Sequence, residues 1–382
     1  MSGTSLVASR IPSSLGERLL AIHWPLVALL LLLGLIGYGV LYSAGGGSNE
    51  PWAWRHGLRL AIGFTVMLSV AFLDLRLIWR IAWPLYVITL LALVAVEIRG
   101  EISKGAQRWL DIGPIQIQPS EIMKIALILV LARWFHARTL EDARRLWMLP
   151  VPILLIAVPA ALVLVQPDLG TAVMLLAAGG GLLFLGGLPI WMFLLGGAAV
   201  AVAMPVLWGR LHDYQRQRVL TFLDPERDPL GSGYHIIQSK IALGSGGLFG
   251  KGFLGGTQAQ LSYLPEKQTD FAFSMLAEEA GFIGAAFVLG LLLLVAVLGT
   301  LLASRAKSQF ARLIIAGVAV NFTLYVVINV AMVSGLIPVV GVPLPLISYG
   351  GTAMLTVLLG FGLVLAADAQ RDSPLPRYEA PG

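Results

Sequence analysis

The sequence has no cysteine. That excludes disulfides, thiolate nucleophiles and cysteine-based metal sites. It leaves the redox compartment open, because a helix bundle needs no disulfide. Histidine is sparse: His23, His56, His136, His212 and His235 are scattered, with no HExxH or comparable metal-ligand spacing. Charge is sparse too, at 12% of residues, where a soluble domain carries about 25%. No segment is polar enough and long enough to form a large soluble domain, so any function must reside in membrane-spanning helices. What fills the 382 residues is apolar, 57% hydrophobic with a mean hydropathy of +0.83. The net charge of +5 is what basic loops at one membrane face produce, and it does not argue for nucleic-acid binding.

Apolar runs of about 20 residues, the length that crosses a bilayer, recur along the whole chain. Their lengths predict an all-α, polytopic membrane helix bundle of about ten transmembrane helices, near 19–43, 58–73, 78–97, 119–136, 146–166, 169–187, 189–208, 271–303, 310–335 and 344–367. The first run is too long for the core of a signal peptide, and Tyr42 stands where cleavage requires a small residue. It reads as an uncleaved first span. Arg76, Arg80, Arg133, Arg138, Arg144, Arg145, Arg305, Lys307 and Arg312 fall in loops on one side, which the positive-inside rule makes cytoplasmic. Both tails, 1–18 and 369–382, belong to that side, flanking a membrane domain at 19–368. A large extracytoplasmic loop, 209–269, precedes the eighth helix. It contains an amphipathic stretch at 234–243 suited to the membrane interface, then a glycine-rich run at 244–256. The tail from 371 to 382 contains proline and reads as disordered.

Polar residues inside a membrane are costly and mark function more often than in soluble proteins. In the stretch 107–124, Ser120 is a candidate N-cap of the fourth span. Glu121 and Lys124 stand three apart on one helical face. They form either a self-neutralising ion pair or a cation held for a phosphate. Trp109 fits an interfacial aromatic belt. Asp168, after Gln166-Pro167, is placed to cap the sixth span. Asp270 sits where the long loop becomes helix. Counted as helical, it shares a face with Ser274 and Glu278. It reads either as a complement to the helix dipole or as a carboxylate held at the membrane surface for chemistry. Asn321, Tyr325 and Asn329 form a further i, i+4, i+8 stripe suited to interhelical hydrogen bonds. Pro343, Pro345 and Ser348-Tyr349-Gly350-Gly351 mark a broken start to the last span.

Taken in order, KGAQRWLDIG and QPSEIMK within 104–124, QPDLGTA at 166–172, FLDPERDPLGSGYHIIQSKIALGSGGLFGKG at 222–252, YLPEKQTDFAFSMLAEEAGFIG at 263–284 and GLIPVVGVPLPLISYGG at 335–351 resemble the SEDS family of cell-wall polymerases. Nearly the whole chain is covered. The segments Met332–Gly335 and Val339–Pro343 are closer to the elongation branch, RodA, than to the division branch, FtsW. One departure is Gln268, where the family commonly has histidine, which argues against an obligatory proton carrier at that position.

The resemblance implies a peptidoglycan glycosyltransferase of the bacterial cytoplasmic (inner) membrane, multi-pass with both termini cytoplasmic. It would polymerise lipid II during elongation and shape maintenance, with inversion at the anomeric carbon and undecaprenyl pyrophosphate leaving. It also implies a class B penicillin-binding protein as transpeptidase partner, together with other elongation-complex membrane proteins. Asp270 matches the essential family carboxylate and is the candidate catalytic base. Lys124, oriented by Glu121, is the first candidate for the departing pyrophosphate, with Arg108, Lys240, Arg216 and Arg218 behind it. Trp109 is a candidate stacking surface and Ser274 a candidate substrate contact. A divalent cation, Mg or Mn, is an option that no residue cluster defines. The competing readings are a lipid II flippase, which needs a polar path through both leaflets, an FtsW-like division polymerase, and a scaffold that only activates its partner.

Overall fold

The computed structural model describes residues 15–103, 106–112, 115–210, 213–224, 232–261, 263–264, 266–373 and 375–376. Most of the N-terminal tail and half of the C-terminal one therefore lie outside the described residues, as does the side chain of Arg218. The chain is mostly helical: α1 (Leu15–Ala21), α2 (Trp24–Ala44), α3 (Ala53–Ala71), α4 (Leu75–Arg99), strands β1 (Glu101–Ser103), β2 (Ala106–Ile112) and β3 (Ile115–Ile117), then α5 (Pro119–His136), α6 (Leu140–Ala143), α7 (Pro150–Val165), α8 (Leu169–Leu185), α9 (Ile190–Arg210), α10 (Asp213–Leu223), α11 (Ser232–Ser245), α12 (Thr257–Gln260), α13 (Ala272–Arg305), α14 (Gln309–Val333) and α15 (Gly351–Ala369).

Six segments among the described residues are long and apolar enough to cross a membrane: Trp24–Ala44, Leu75–Ile98, Leu146–Val165, Ala272–Arg305, Gln309–Val333 and Gly351–Ala369. Leu169–Leu185 and Ile190–Pro205 are shorter apolar helices. At the other two expected spans, α3 carries Arg55 and Arg59, and α5 carries Glu121, Lys124 and Arg133.

The centre of the bundle is α5. It is buried along nearly its whole length and touches α4, α7, α8, α14 and α15. Glu121 and Lys124 are costly against lipid, so a helix that carries them within an otherwise apolar run goes to the middle of the bundle. Its start differs from the sequence expectation. Gln118 is the N-cap, Pro119 occupies the first turn and Ser120 lies inside it. Proline lacks an amide hydrogen and is best accommodated at the first helical position, which moves the cap one residue earlier.

A three-stranded antiparallel sheet, β1-β2-β3, leads into α5. Leu110 pairs with Ile117 and Ile112 with Ile115. The alternation Ile115-Gln116-Ile117-Gln118 has the period of a strand and accounts for it. The loop at 209–269 holds α10, α11 and α12. Of these, α11 lies along α13 with Ile236, Ser239 and Ala242 buried.

Helix α13 is broken at Gly281, with φ 68° and ψ −170°, a conformation essentially confined to glycine. The glycine-rich segment 246–252 closes the break. Lys251 and Gly252 amides donate to the Glu278 and Glu279 carbonyls, both at 3.0 Å, and Phe282 and Ile283 amides donate to Gly247 and Leu248 at 2.9 and 3.1 Å. Backbone groups released from a helix must be re-satisfied by protein. Here four cross-links do so. The last helix begins at Gly351, later than the apolar run suggests, because Pro343 and Pro345 hold the connector 336–350 out of helix.

Candidate functional site

The starts of α3, α5, α8 and α15, together with the turn that leads into α13, converge on one cavity of about 820 Å³. Its walls include Arg59 from α3, Arg108 and Trp109 from β2, Glu121 and Lys124 from α5, and Asp168 and Thr171 from α8. Asp270, Tyr325 from α14, and Gly341, Pro343 and Tyr349 from the last connector also line it. Three cations and three carboxylates therefore line the space among the described residues. The formal charge cancels, and helix N-termini then tilt the potential positive, the usual setting for an anionic ligand.

Lys124 is buried, with 1% of its surface exposed, and Glu121 with 5%. The Lys124 ammonium donates to Glu121 Oε1 at 2.7 Å and to the Tyr325 hydroxyl. The Tyr325 hydroxyl donates in turn to Glu121 Oε2 at 2.5 Å. The three side chains close a ring from two helices, so the charge of Lys124 is balanced within the wall of the cavity. Arg108 is held differently. Its Nη2 donates to the Pro167 carbonyl at 2.6 Å, and its Nε stands 3.7 Å from Asp168 Oδ2. Asp168 caps α8 by accepting from the Thr171 amide at 3.1 Å and also accepts from Gln118 Nε2 at 3.4 Å. Arg59 lies over the Tyr349 ring, 4.6 Å from its centroid. It is the one cation in the lining that makes no ion pair with a carboxylate among the described residues.

Asp270 lies in the turn before α13, whose N-cap is Phe271. Phe271 is buried and stacks on His235 of α11, with centroids 6.1 Å apart and planes 16° from parallel. Burial lowers the ammonium pKa of Lys267, in the same turn, below its ordinary value. The Tyr349 amide donates to the Gln268 carbonyl at 2.7 Å, and Asn329 Nδ2 donates to the Asp270 carbonyl at 2.9 Å. Among the described residues, no group of three or more histidine, aspartate or glutamate side chains could hold a metal ion.

The cavity brings together Asp270, Lys124, Glu121, Arg108 and Trp109. It does not include Ser274, Lys240 or Arg216. Ser274 is fully buried and shares a 2.7 Å hydrogen bond with Ser239 of α11. Glu278, one turn on, accepts from Lys251 Nζ at 2.7 Å, Thr257 Oγ1 at 3.0 Å and the Gln258 amide at 3.1 Å. The helical stripe counted from Asp270 fails because the helix starts at Ala272. The turn rotates Asp270 towards the cavity, while Ser274 and Glu278 face the loop. Lys240 is exposed beside Gly335. Arg216 donates to the carbonyls of Trp208 and Gly209 at 3.1 and 2.7 Å, closing the end of α9.

Arg59, Tyr325 and Tyr349 were absent from the sequence-derived site. Tyr325 was visible as part of a polar stripe and Arg59 as a charge at the start of an apolar run. Neither signal reveals which partner it meets.

The chain matches the sequence profile of the family described as "Cell cycle protein" (FtsW, RodA, SpoVE) over residues 19–373. It is 47% identical over 355 residues to the peptidoglycan glycosyltransferase MrdB of Escherichia coli (strain K12), covering 92% of this chain and 95% of that protein. It is 35% identical over 330 residues to a probable peptidoglycan glycosyltransferase FtsW of Idiomarina loihiensis, covering 85% of this chain and 80% of that one. Among solved structures, it aligns with a TM-score of 0.81 and 37% identity to a chain of a peptidoglycan synthase complex that coordinates polymerization and crosslinking, covering 93% of this chain and 100% of that one. The Thermus thermophilus rod shape-determining protein RodA aligns with a TM-score of 0.71 and 30% identity, covering 93% and 99%. With a profile match along almost its whole length and a relative at nearly half identity, this multi-pass membrane protein belongs to the SEDS family of FtsW, RodA and SpoVE proteins.

Proposed function

We propose that the protein is a peptidoglycan glycosyltransferase of the elongation branch. It extends glycan strands from lipid II at the outer face of the cytoplasmic membrane. The observation that carries this reading is the cavity itself. It is a chamber of about 820 Å³ where helix starts, three cations and three carboxylates including Asp270 meet, in a chain 47% identical to a named peptidoglycan glycosyltransferase.

The acceptor sugar hydroxyl attacks the anomeric carbon of the donor, and undecaprenyl pyrophosphate departs with inversion. An alcohol is a weak nucleophile at neutral pH, so a positioned base lowers the barrier. Asp270 takes that part. The departing diphosphate requires compensating charge. The helix N-termini supply some of it, with Arg59 and Arg108 near and Lys124 behind them, neutralised at rest by Glu121. Trp109 offers an apolar face to a sugar or lipid head.

The same reading uses ten spans, with the cavity end outside and both tails inside. The basic residues of short loops, Arg76, Arg80, Arg133, Arg144, Arg305 and Arg312, all sit at helix ends opposite the cavity, which supports this orientation. The loop that carries α10 to α12 is then extracytoplasmic. A class B penicillin-binding protein is the natural partner, given the polymerization and crosslinking coupled in the related complex. A flippase is less well supported. Below Lys124, α5 continues as buried Ile125–Ala132 with no polar side chain, whereas transport needs polar groups through both leaflets.

The test compares wild type with Asp270→Asn, using lipid II, the cognate partner and a disabled transpeptidase serine, with glycan polymer read on a gel. Polymer from the wild type and none from a well-folded variant is expected. Equal polymer from both removes Asp270 from the chemistry, and none from either returns the flippase and scaffold readings.

A further inference from the structure

We propose that Asn329 is a positioning residue that sets the placement of Asp270, an inference that rests on Asp270 being the base. Asn329 lies on α14 one turn beyond Tyr325, is fully buried and does not line the cavity. A side-chain amide has two N–H donors, and Asn329 uses both on backbone carbonyls of two different segments. One goes to Asp270 at 2.9 Å and the other to Val342 at 2.7 Å. The Oδ1 acceptor is left buried without a hydrogen-bond partner. Turning the amide over would set an oxygen against both carbonyls, so the network itself fixes its orientation. A buried amide that leaves its acceptor unsatisfied to keep both donors engaged is held by those two donors.

The two segments tied in this way frame the carboxylate. The first is the turn 266–271 before α13, and the second is the connector that runs from α14 to α15. They are joined again where the Tyr349 amide donates to the Gln268 carbonyl at 2.7 Å. Immediately before the tie at Val342, Gly341, with φ +72°, turns the connector against Asp270. A Cβ built on Gly341 lies 3.5 Å from Asp270 Oδ2. Asn329 thus holds the main chain of Asp270 at a fixed distance from the connector, and the side chain leaves that fixed point into the cavity. A displacement of about 1 Å at a reacting group can cost about 100-fold in rate. Substrate affinity, set by the opposite walls, stays where it is.

The experiment measures kcat and KM for lipid II polymerisation by Asn329→Asp and Asn329→Gln, in the full-length protein with its partner, alongside Asp270→Asn. Aspartate has nearly the shape of asparagine and lacks the paired donors. Glutamine keeps both donors on a longer arm and serves if the aspartate variant fails to fold. For Asn329→Asp, kcat is expected to fall about 100-fold with KM changed less than about threefold. Asn329→Gln should recover at least about tenfold of that loss. Wild-type kcat in a folded variant, a rise in KM with kcat kept, or equal losses in both variants overturns the positioning role. Full activity in Asp270→Asn overturns the reading of the base instead. Loss there, with wild-type kcat in the Asn329 variants, overturns only the present inference.

Discussion

Replacing Lys124 with methionine tests whether its charge is used in catalysis or only within the protein. The substitution keeps most of the length of the side chain and removes the ammonium. Glu121, 5% exposed, then keeps the Tyr325 hydroxyl at 2.5 Å and loses its cation at 2.7 Å. Breaking a buried pair by removing one partner costs about 3–5 kcal/mol, whereas replacing both partners by neutral groups of similar volume is often neutral. Lys124→Met should therefore lower the folded-to-unfolded ratio by roughly two to nearly four powers of ten. The double variant Glu121→Gln/Lys124→Met should regain most of that loss. Reversible denaturant unfolding in micelles reads the stability, and polymer formation from lipid II reads the function. If Lys124→Met is as stable as wild type, or the double variant is no more stable than the single one, the argument from the buried pair is wrong. If the double variant regains both stability and activity, the pair serves folding alone. The expected outcome is a stable and inactive double variant, which gives the Glu121–Lys124 pair a part in activity beyond folding.

Two further substitutions probe other walls of the structure. Arg59→Gln removes a cation lining the cavity without a carboxylate partner among the described residues. It should lower kcat for lipid II polymerisation roughly tenfold with KM changed less, the signature of an interaction made in the transition state, and an unchanged kcat would take Arg59 off the departing diphosphate. Gly281→Ala would place a Cβ 2.2 Å from the Gly250 amide nitrogen on a backbone that only glycine adopts easily. The segment 246–256 should then lose its seat and become open to limited proteolysis, and a cleavage rate equal to wild type would show that the break does not depend on glycine.

Much of this architecture is readable along the chain because the apolar runs set the helices and because charge is scarce enough to stand out. Asp270 and the Glu121–Lys124 pair were visible in that way, as polar groups at junctions where apolar residues would have sufficed. What closes the pair was not visible. Tyr325 is 201 residues from Lys124, and no local period connects them. The strands of 101–117 went unread because their alternation is short and runs straight into a proline-led helix. Ser274 escapes for a related reason, since a helical phase taken from Asp270 does not hold when the helix begins two residues later. The break at Gly281 was hidden because one glycine within a long apolar run is ordinary in membrane helices. The requirement for it lies in a segment some thirty residues earlier, at Gly250.

That break gives the molecule a lever. Helix α13 is two rods, and the segment 246–252 holds each side of the break by two backbone hydrogen bonds, at Glu278 and Glu279 on the shorter rod and at Phe282 and Ile283 on the longer one. At a rise of 1.5 Å per residue, the shorter rod's tip at Ala272, next to the turn that carries Asp270, stands roughly 14 Å from the pivot. A tilt of about 4° at Gly281 therefore swings the carboxylate by about 1 Å. The hydrogen bonds from Asn329 to the Asp270 carbonyl and from the Tyr349 amide to the Gln268 carbonyl oppose such a tilt.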